Sequence, residues 1–348
     1  MPGPTILIRA DAGPQIGGGH VVRTCALGQE LLKAGFEVIL ATRRETLATI
    51  PFLNSSGFRL LVVECESPSE LQFLKDHLED RVSAVIVDHY ERDASFESGC
   101  REFTDLVLAL DDIPQRAHDC DILLDQTLGR MANEYSALVP SHCRVLAGTD
   151  YALLRPQFRE ARTSFGSEPR RCLNRILLMT GATDPQDLCG WVLEAIAALT
   201  APLAVDIIGG GLTSDRQADF QSRCSHELNF HGNVSDVSKL MRTTDLAVGA
   251  CGSASWERAC LGLPSLLFVI ADNQLDICRA LESTGIAKNL GWVREASPHE
   301  FRRLITELHT DPSWLTAASK KAYEVCDGRG AERVAAILQE TLSSGRTL

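Results

Sequence analysis

The residues best suited to chemistry in this chain are Ile16-Gly17-Gly18-Gly19-His20, a glycine-rich turn that delivers an imidazole to the start of a helix-like stretch. Three glycines allow positive φ and close approach to a ligand, and the free N–H groups of a helix start attract an anion. The positive helix end also keeps the ring of His20 neutral, as a general base requires. The same pattern fits a histidine that caps the helix or bonds phosphate, so both roles stay open at this stage. A second cluster is Asp88-His89-Tyr90: Asp88 reads as a turn or cap carboxylate, His89 as structural, and Tyr90 as a phenol able to position a sugar. A third is Ala250-Cys251-Gly252-Ser253-Ala254-Ser255-Trp256-Glu257. Its glycine and hydroxyl residues suit phosphate oxygens, and Glu257 suits sugar hydroxyls, although Ser253 as a plain N-cap and Glu257 as a dipole partner fit too. Asp272-Asn273-Gln274 adds amide donors and acceptors, or is an ordinary loop start.

Each cluster follows a short apolar run, and those runs define the elements. Strands are expected at Thr5–Ile8, Val38–Ala41, Leu60–Val63, Ala84–Val87, Leu106–Leu110, Ile122–Leu124 and Val145–Ala147, then at Ile176–Met179, Val205–Ile208, Leu246–Gly249 and Leu266–Val269. Amphipathic stretches between them, such as His20–Ala34 before Gly35, Leu188–Leu199 and Ser235–Met241, read as helices. Such alternation specifies an α/β protein with parallel sheets. Two doubly wound, Rossmann-like domains facing across a cleft are expected, with ligands at the carboxyl ends of the strands. The boundaries read as 1–160 and 172–325, with 161–171 as linker and 326–348 as a C-terminal helix whose docking the sequence does not place.

A length of 348 residues agrees with two domains, and 45% hydrophobic with 23% charged residues is a soluble globular composition. No apolar run reaches the ~20 residues that span a bilayer, and Met1-Pro2-Gly3-Pro4 does not resemble a signal peptide, so a cytoplasmic protein is expected. The 12 cysteines are scattered without a Cys-x-x-Cys pair and read as reduced, mostly buried thiols. Net charge is −12, and residues 1–155 carry 14 Lys+Arg against 23 Asp+Glu, or −9, which disfavours nucleic acid and anionic lipid as partners. Asp119-Cys120-Asp121 leads into a strand with nothing nearby to complete a ligand set, and no zinc spacing occurs, so no metal site is expected.

In order from residue 5 to about 280, the segments Arg9-Ala10-Asp11-Ala12, Ile16-Gly17-Gly18-Gly19-His20, Asp88-His89-Tyr90, Cys120-Asp121-Ile122-Leu123-Leu124, Tyr151-Ala-Leu-Leu-Arg155 and Trp256-Glu257 through Asn273-Gln274 resemble the UDP-sugar hydrolases of pseudaminic acid biosynthesis. The resemblance implies a GT-B fold related to the glycosyltransferase that makes lipid II. It implies cleavage of UDP-2,4-diacetamido-2,4,6-trideoxy-β-L-altropyranose to UDP and free sugar, by water attack at the anomeric carbon with inversion, without cofactor or metal. On this likeness His20 is the catalytic base, Tyr90 and Asn273 line the sugar site, Glu257 meets the uridine ribose, and Ser253 and Ser255 lie in the diphosphate turn. Gly17, Gly18, Gly19, Arg155, Gly181, Thr183, Gly252 and Gln274 complete the implied substrate-binding set. One departure is Gly181-Ala182-Thr183-Asp184 where the family commonly has Gly-Gly-Thr-Asp, adding a methyl near the ligand. With the diphosphate on the second-domain turn, the first glycine turn is left to present the sugar and water to His20. A glycosyltransferase with an acceptor hydroxyl, or a silent UDP-sugar-binding protein, remains the alternative. Oligomeric state is not legible, and a monomer fits.

Overall fold

The computed structural model describes residues 3–14, 16–65, 69–181, 184, 186–209, 212–232 and 234–344. The chain forms two compact units, one of residues 1–155 with 328–348 and the other of 156–327. In the first unit seven strands, β1 (Thr5–Ala10), β2 (Glu37–Thr42), β3 (Arg59–Val62), β4 (Ala84–Asp88), β5 (Val107–Leu110), β6 (Ile122–Asp125) and β7 (Arg144–Ala147), form a parallel sheet in the order β3-β2-β1-β4-β5-β6-β7. The central strands are buried on both faces because helices cover both, which is why they read as continuous apolar runs. Side chains still alternate: Ile6 and Ile8 join the core under the helix Gly19–Lys33, while Leu7 joins Val85, Val87 and Leu123 on the opposite face. Sheet order reverses between β1 and β4, whose register sets Ala10 beside Asp88. A crevice at the carboxyl ends of these two strands is where such a sheet takes its ligand.

The second unit repeats the plan with β8 (Arg175–Met179), β9 (Ala204–Ile208), β10 (Glu227–His231), β11 (Leu246–Ala250), β12 (Ser265–Val269) and β13 (Ala287–Trp292), in the order β10-β9-β8-β11-β12-β13. Its reversal lies between β8 and β11. All eleven strands expected from the sequence form. The two additional ones, β10 and β13, are the sheet's edges. Their half-exposed polar residues break the apolar run that marks a buried strand.

The segment 161–171 is not a linker. Pro156–Phe165 is a helix of the second unit, with Phe158 and Ala161 buried at i,i+3 spacing. Arg162 stacks over Tyr323 and donates to the Cys260 carbonyl at 2.8 Å, and buried Arg170 donates to the carbonyls of Thr244 and Met241. Polar composition suggested a solvated connector, but these long cations instead bury their stems and satisfy backbone acceptors. The helix Gly330–Ser343 returns to the first unit and packs on the Gly19–Lys33 helix, where Val334 and Leu338 enter the core. Any Cβ on Gly330 would overlap the backbone of Ala152, so glycine is needed for that approach. Among the described residues no helix is long and apolar enough to cross a membrane.

Candidate active site

The crevice of the first unit is a cavity of about 670 Å³ whose walls include Asp11, Ile16, His20, Arg43, His89 and Tyr90. The loop beneath it is closed by reciprocal backbone bonds between Gly13 and Gly17 of 3.0 and 2.8 Å, and Gly17 takes φ +71°. Gly18 is the N-cap of the Gly19–Lys33 helix and offers no side-chain acceptor, so no side chain caps its first turn. Gly18 also packs against Ile50, whose side-chain end would have to shift to admit a Cβ. His20, the second helical residue, is thereby held at the cavity wall with its side chain 11% exposed.

Nδ1 of His20 lies 2.5 Å from Oδ1 of Asp88, which is fully buried at the end of β4. Arg23, one turn along the same helix, donates to both oxygens of Asp88 at 2.7 Å and to Asp112 at 3.2 Å. Burial works to raise the Asp88 carboxyl, but the charge of Arg23 and the hydrogen bonds from Arg23 and His20 hold it well below the usual carboxylate range. An ionised carboxylate only accepts, so Nδ1 carries the proton, and in the neutral ring Nε2 is the acceptor, with no hydrogen bond among the described residues. Arg23 Nη2 also lies 3.3 Å from Nδ1, yet both are donors and the guanidinium proton goes to Asp88. The phenol of Tyr90 donates to Asp112 at 2.8 Å and its ring meets His20 edge-on at 4.7 Å, fixing the imidazole from a second side. This is a base oriented by a buried carboxylate, the arrangement that activates a nucleophile's proton.

Three findings differ from the sequence reading. Asp88 is not a turn or cap carboxylate but the partner of His20 and Arg23. His89 lines the cavity, with Nε2 3.2 Å from Oδ2 of Asp11. Asp11 itself is a wall residue: its Oδ1 takes Arg9, the Thr42 hydroxyl and the Arg43 backbone N–H at 2.6, 3.2 and 2.8 Å. Burial would raise the Asp11 carboxyl, but His89 and Arg9 hold it far below its ordinary value. The signals available were position alone, since Asp11 follows the end of β1 and Asp88 ends β4, the two strands flanking the reversal. Of Asp119-Cys120-Asp121, Asp121 is occupied structurally by Arg101 at 2.5 Å and the Val107 N–H at 2.7 Å.

The remaining sequence-derived residues lie outside this cavity's walls. Arg155 is the half-buried last residue of the first unit's main segment. In the second unit Gly181 follows β8 with φ +91°, while Thr183, like Ala182, lies outside the described residues. The helix after that turn is capped by its own Asp184, whose oxygens accept from Leu188 and Cys189 at 2.9 and 2.8 Å. The turn after β11 differs: Gly252 precedes Ser253, which is the N-cap of Ala254–Cys260 without a side-chain cap bond. Ser255 is buried and accepts from Arg258 at 2.9 Å, which leaves its hydroxyl proton to donate elsewhere, and Glu257 is buried on the same helix. Asn273 is exposed in the 3-10 turn Asp272–Gln274 after β12, and Gln274 folds back to accept from the Ile270 N–H.

No family model matches the chain. It is 25% identical over 340 residues to the spore coat polysaccharide biosynthesis protein SpsG of Bacillus subtilis, covering 96% of this chain and 97% of the relative. It is 30% identical over 190 residues to the UDP-2,4-diacetamido-2,4,6-trideoxy-β-L-altropyranose hydrolase of Campylobacter jejuni, covering 53% of this chain and 62% of that one. An uncharacterised protein of Methanocaldococcus jannaschii, MJ1062, is 24% identical over 277 residues, 78% of this chain but only 56% of that relative's length. Among solved structures, MurG of Acinetobacter baumannii superposes with a TM-score of 0.68 at 16% identity, covering 97% of this chain and 99% of that one. UDP-GlcNAc 2-epimerase of Neisseria meningitidis, bound to UDP-GlcNAc, gives 0.61 at 14% identity over 97% of this chain and 100% of that one. These likenesses show the fold: two Rossmann-like parallel-sheet domains of the GT-B type.

Proposed function

We propose that this protein is an enzyme acting on nucleotide sugars, and that it hydrolyses a UDP-sugar, UDP-2,4-diacetamido-2,4,6-trideoxy-β-L-altropyranose, at the anomeric carbon. The observation that carries the reading is the His20–Asp88 pair at the wall of the first unit's crevice, with Nε2 left as acceptor. The Campylobacter relative's name supplies the substrate. In this mechanism Nε2 orients a water and takes its proton as the bond from C1 to the diphosphate oxygen breaks through an oxocarbenium-like transition state. Asp88 accepts from Nδ1–H throughout and stabilises the imidazolium that forms. UDP leaves with the electron pair, and attack from the opposite face inverts C1.

The diphosphate is assigned to the uncapped turn Gly252–Ser255 and the ribose to Glu257, with Gly181, Thr183, Asn273, Gln274 and Arg155 as further substrate contacts. Tyr90 and the turn Gly17–Gly19 border the sugar. Proton transfer by a positioned base contributes about 10²–10⁴-fold, so His20→Asn is expected to lose UDP release by that factor while still binding UDP. The test is UDP release from the diacetamido sugar nucleotide, with no acceptor alcohol and with chelator present. Release that requires an acceptor would replace hydrolysis by glycosyl transfer, and binding without turnover would leave a UDP-sugar-binding protein.

A further inference from the structure

Asp88 serves two donors, and the second works against the first. Besides His20 it takes Nε and Nη2 of Arg23, each at 2.7 Å. A guanidinium held across a carboxylate cancels the charge that an imidazolium would use. Arg23 Nη2 also lies 3.3 Å from Nδ1 itself, where it would repel a protonated ring. By themselves these three side chains disfavour moving a proton from water to His20.

The neighbouring strand β5 leads to the group that offsets Arg23. Asp112, just beyond that strand, accepts from Arg23 Nη1 at 3.2 Å through Oδ2 and from the Tyr90 phenol at 2.8 Å through Oδ1. Its side chain is 13% exposed, so solvent screens the contact only weakly. With Arg23 positive and Asp88 and Asp112 both negative, the cluster holds one negative charge in excess while His20 is neutral. It is balanced once the imidazole has taken a proton. The other ionisable groups nearby are paired among themselves or screened. Arg116, 5.9 Å from the centre of the Tyr90 ring, is matched by Asp111 at 3.2 Å. Around the cavity Arg9 and Arg43 match Asp11, and Glu45 and Glu91 are exposed. His89 is neutral, its Nδ1 accepting the Glu91 N–H at 3.1 Å while Nε2–H faces Asp11 at 3.2 Å.

Resting on the hydrolase reading, we propose that Asp112 is a positioning residue for the base: by offsetting Arg23 it leaves the charge of Asp88 to the imidazolium that forms on His20 as water is deprotonated. Asp112 acts through Arg23 and not on the substrate. Asp112→Asn removes the charge while its amide oxygen can still accept from Tyr90, so a role confined to holding the phenol predicts little change. In the free protein the pH at which His20 takes up its proton is read from the ¹⁵N shifts of labelled histidine, the signal being assigned by its loss in His20→Asn. That pH is expected to be about 1 unit lower in Asp112→Asn than in the native protein, the lower end of the roughly 1–3 units that a neighbouring charge produces. Asp112→Ser, also without the charge, should lower it alike, and Tyr90→Phe, which keeps the carboxylate, should not. In UDP release, kcat of Asp112→Asn is expected to fall about tenfold with KM held within about threefold. A titration unchanged in both Asp112 variants, or lowered as far by Tyr90→Phe, overturns the proposal. The titration needs no substrate, so a native protein that released no UDP would refute hydrolysis while the test of Asp112 still stood.

Discussion

Asparagine at position 88 tests whether His20 works through its partner. Asp88 accepts three hydrogen bonds, two at Oδ1 from His20 and Arg23 and one at Oδ2 from Arg23. An amide presents one acceptor and one donor in that space. With its oxygen toward His20, the NH2 group faces the Nε–H of Arg23, and the carboxylate charge that would stabilise the imidazolium is gone. Turned over, its NH2 faces Nδ1 and forces the proton to Nε2, which abolishes the base. At an effective dielectric near 20, a charge pair in contact is worth about 4 kcal/mol. Either arrangement therefore lowers kcat by about 10²–10⁴-fold, or roughly 3–5 kcal/mol at 1.36 kcal/mol per decade. KM is expected within about threefold, because Asp88 is buried behind His20 and touches no substrate. Removing one partner of a buried ion pair costs up to about 3–5 kcal/mol, and since Arg23 keeps Asp112 the loss of stability is expected near the lower end or beneath it. The assay is UDP release under saturating substrate, with urea unfolding and UDP affinity measured on the same sample. A folded variant that binds UDP and turns over within threefold of the native rate would refute the orienting role of Asp88.

Two further outcomes follow from the packing of each unit. His118 is buried between Glu97 and Asp111 at 2.7 and 2.8 Å. Burial works against its charge, but the two carboxylates lift it to about 9 from an ordinary 6.5. Because the folded value is the higher one, the stabilisation is complete below pH 6.5 and is lost as pH rises through about 9. Urea unfolding of the native protein should weaken over that window by at most about 3 kcal/mol, and His118→Gln should remove that slope; an unchanged slope in the variant would refute the assignment. In the second unit Gly249 lies in β11 against the Met179 carbonyl of β8, where a Cβ would overlap backbone that cannot yield. Gly249→Ala is expected to cost at least about 2–3 kcal/mol by thermal unfolding, and a loss below 1 kcal/mol would show that the β8–β11 pairing relaxes.

Central strands announce themselves because both faces are covered, so β1, β4, β8 and β11 each contain an unbroken apolar run, at residues 6–8, 84–87, 176–179 and 246–250. Edge strands β10 and β13 carry Glu227, Asn229, His231, Lys288 and Asn289, which are compatible with loop. His20 was legible because glycines and a helix start are local signals. Its partnership with Asp88 spans 68 positions and arises only when β1 and β4 pair, since a carboxylate ending a strand is locally identical to a cap. The same holds for Asp11, whose contact with His89 arises only when β1 and β4 pair. The segment around Arg162 and Arg170 misled for a related reason, because polarity marks solvent only when the stems of long cations stay outside.

The most direct test of the account is the fate of solvent oxygen. With the diacetamido UDP-sugar in ¹⁸O-labelled water, the account predicts one label in the free sugar at C1, none in UDP, and first-formed product of inverted anomeric configuration by NMR. Label in the UDP phosphate would place the attack on phosphorus, and retention at C1 would require a covalent or acceptor-bound intermediate; either result would contradict His20 as the base for water attack at the anomeric carbon.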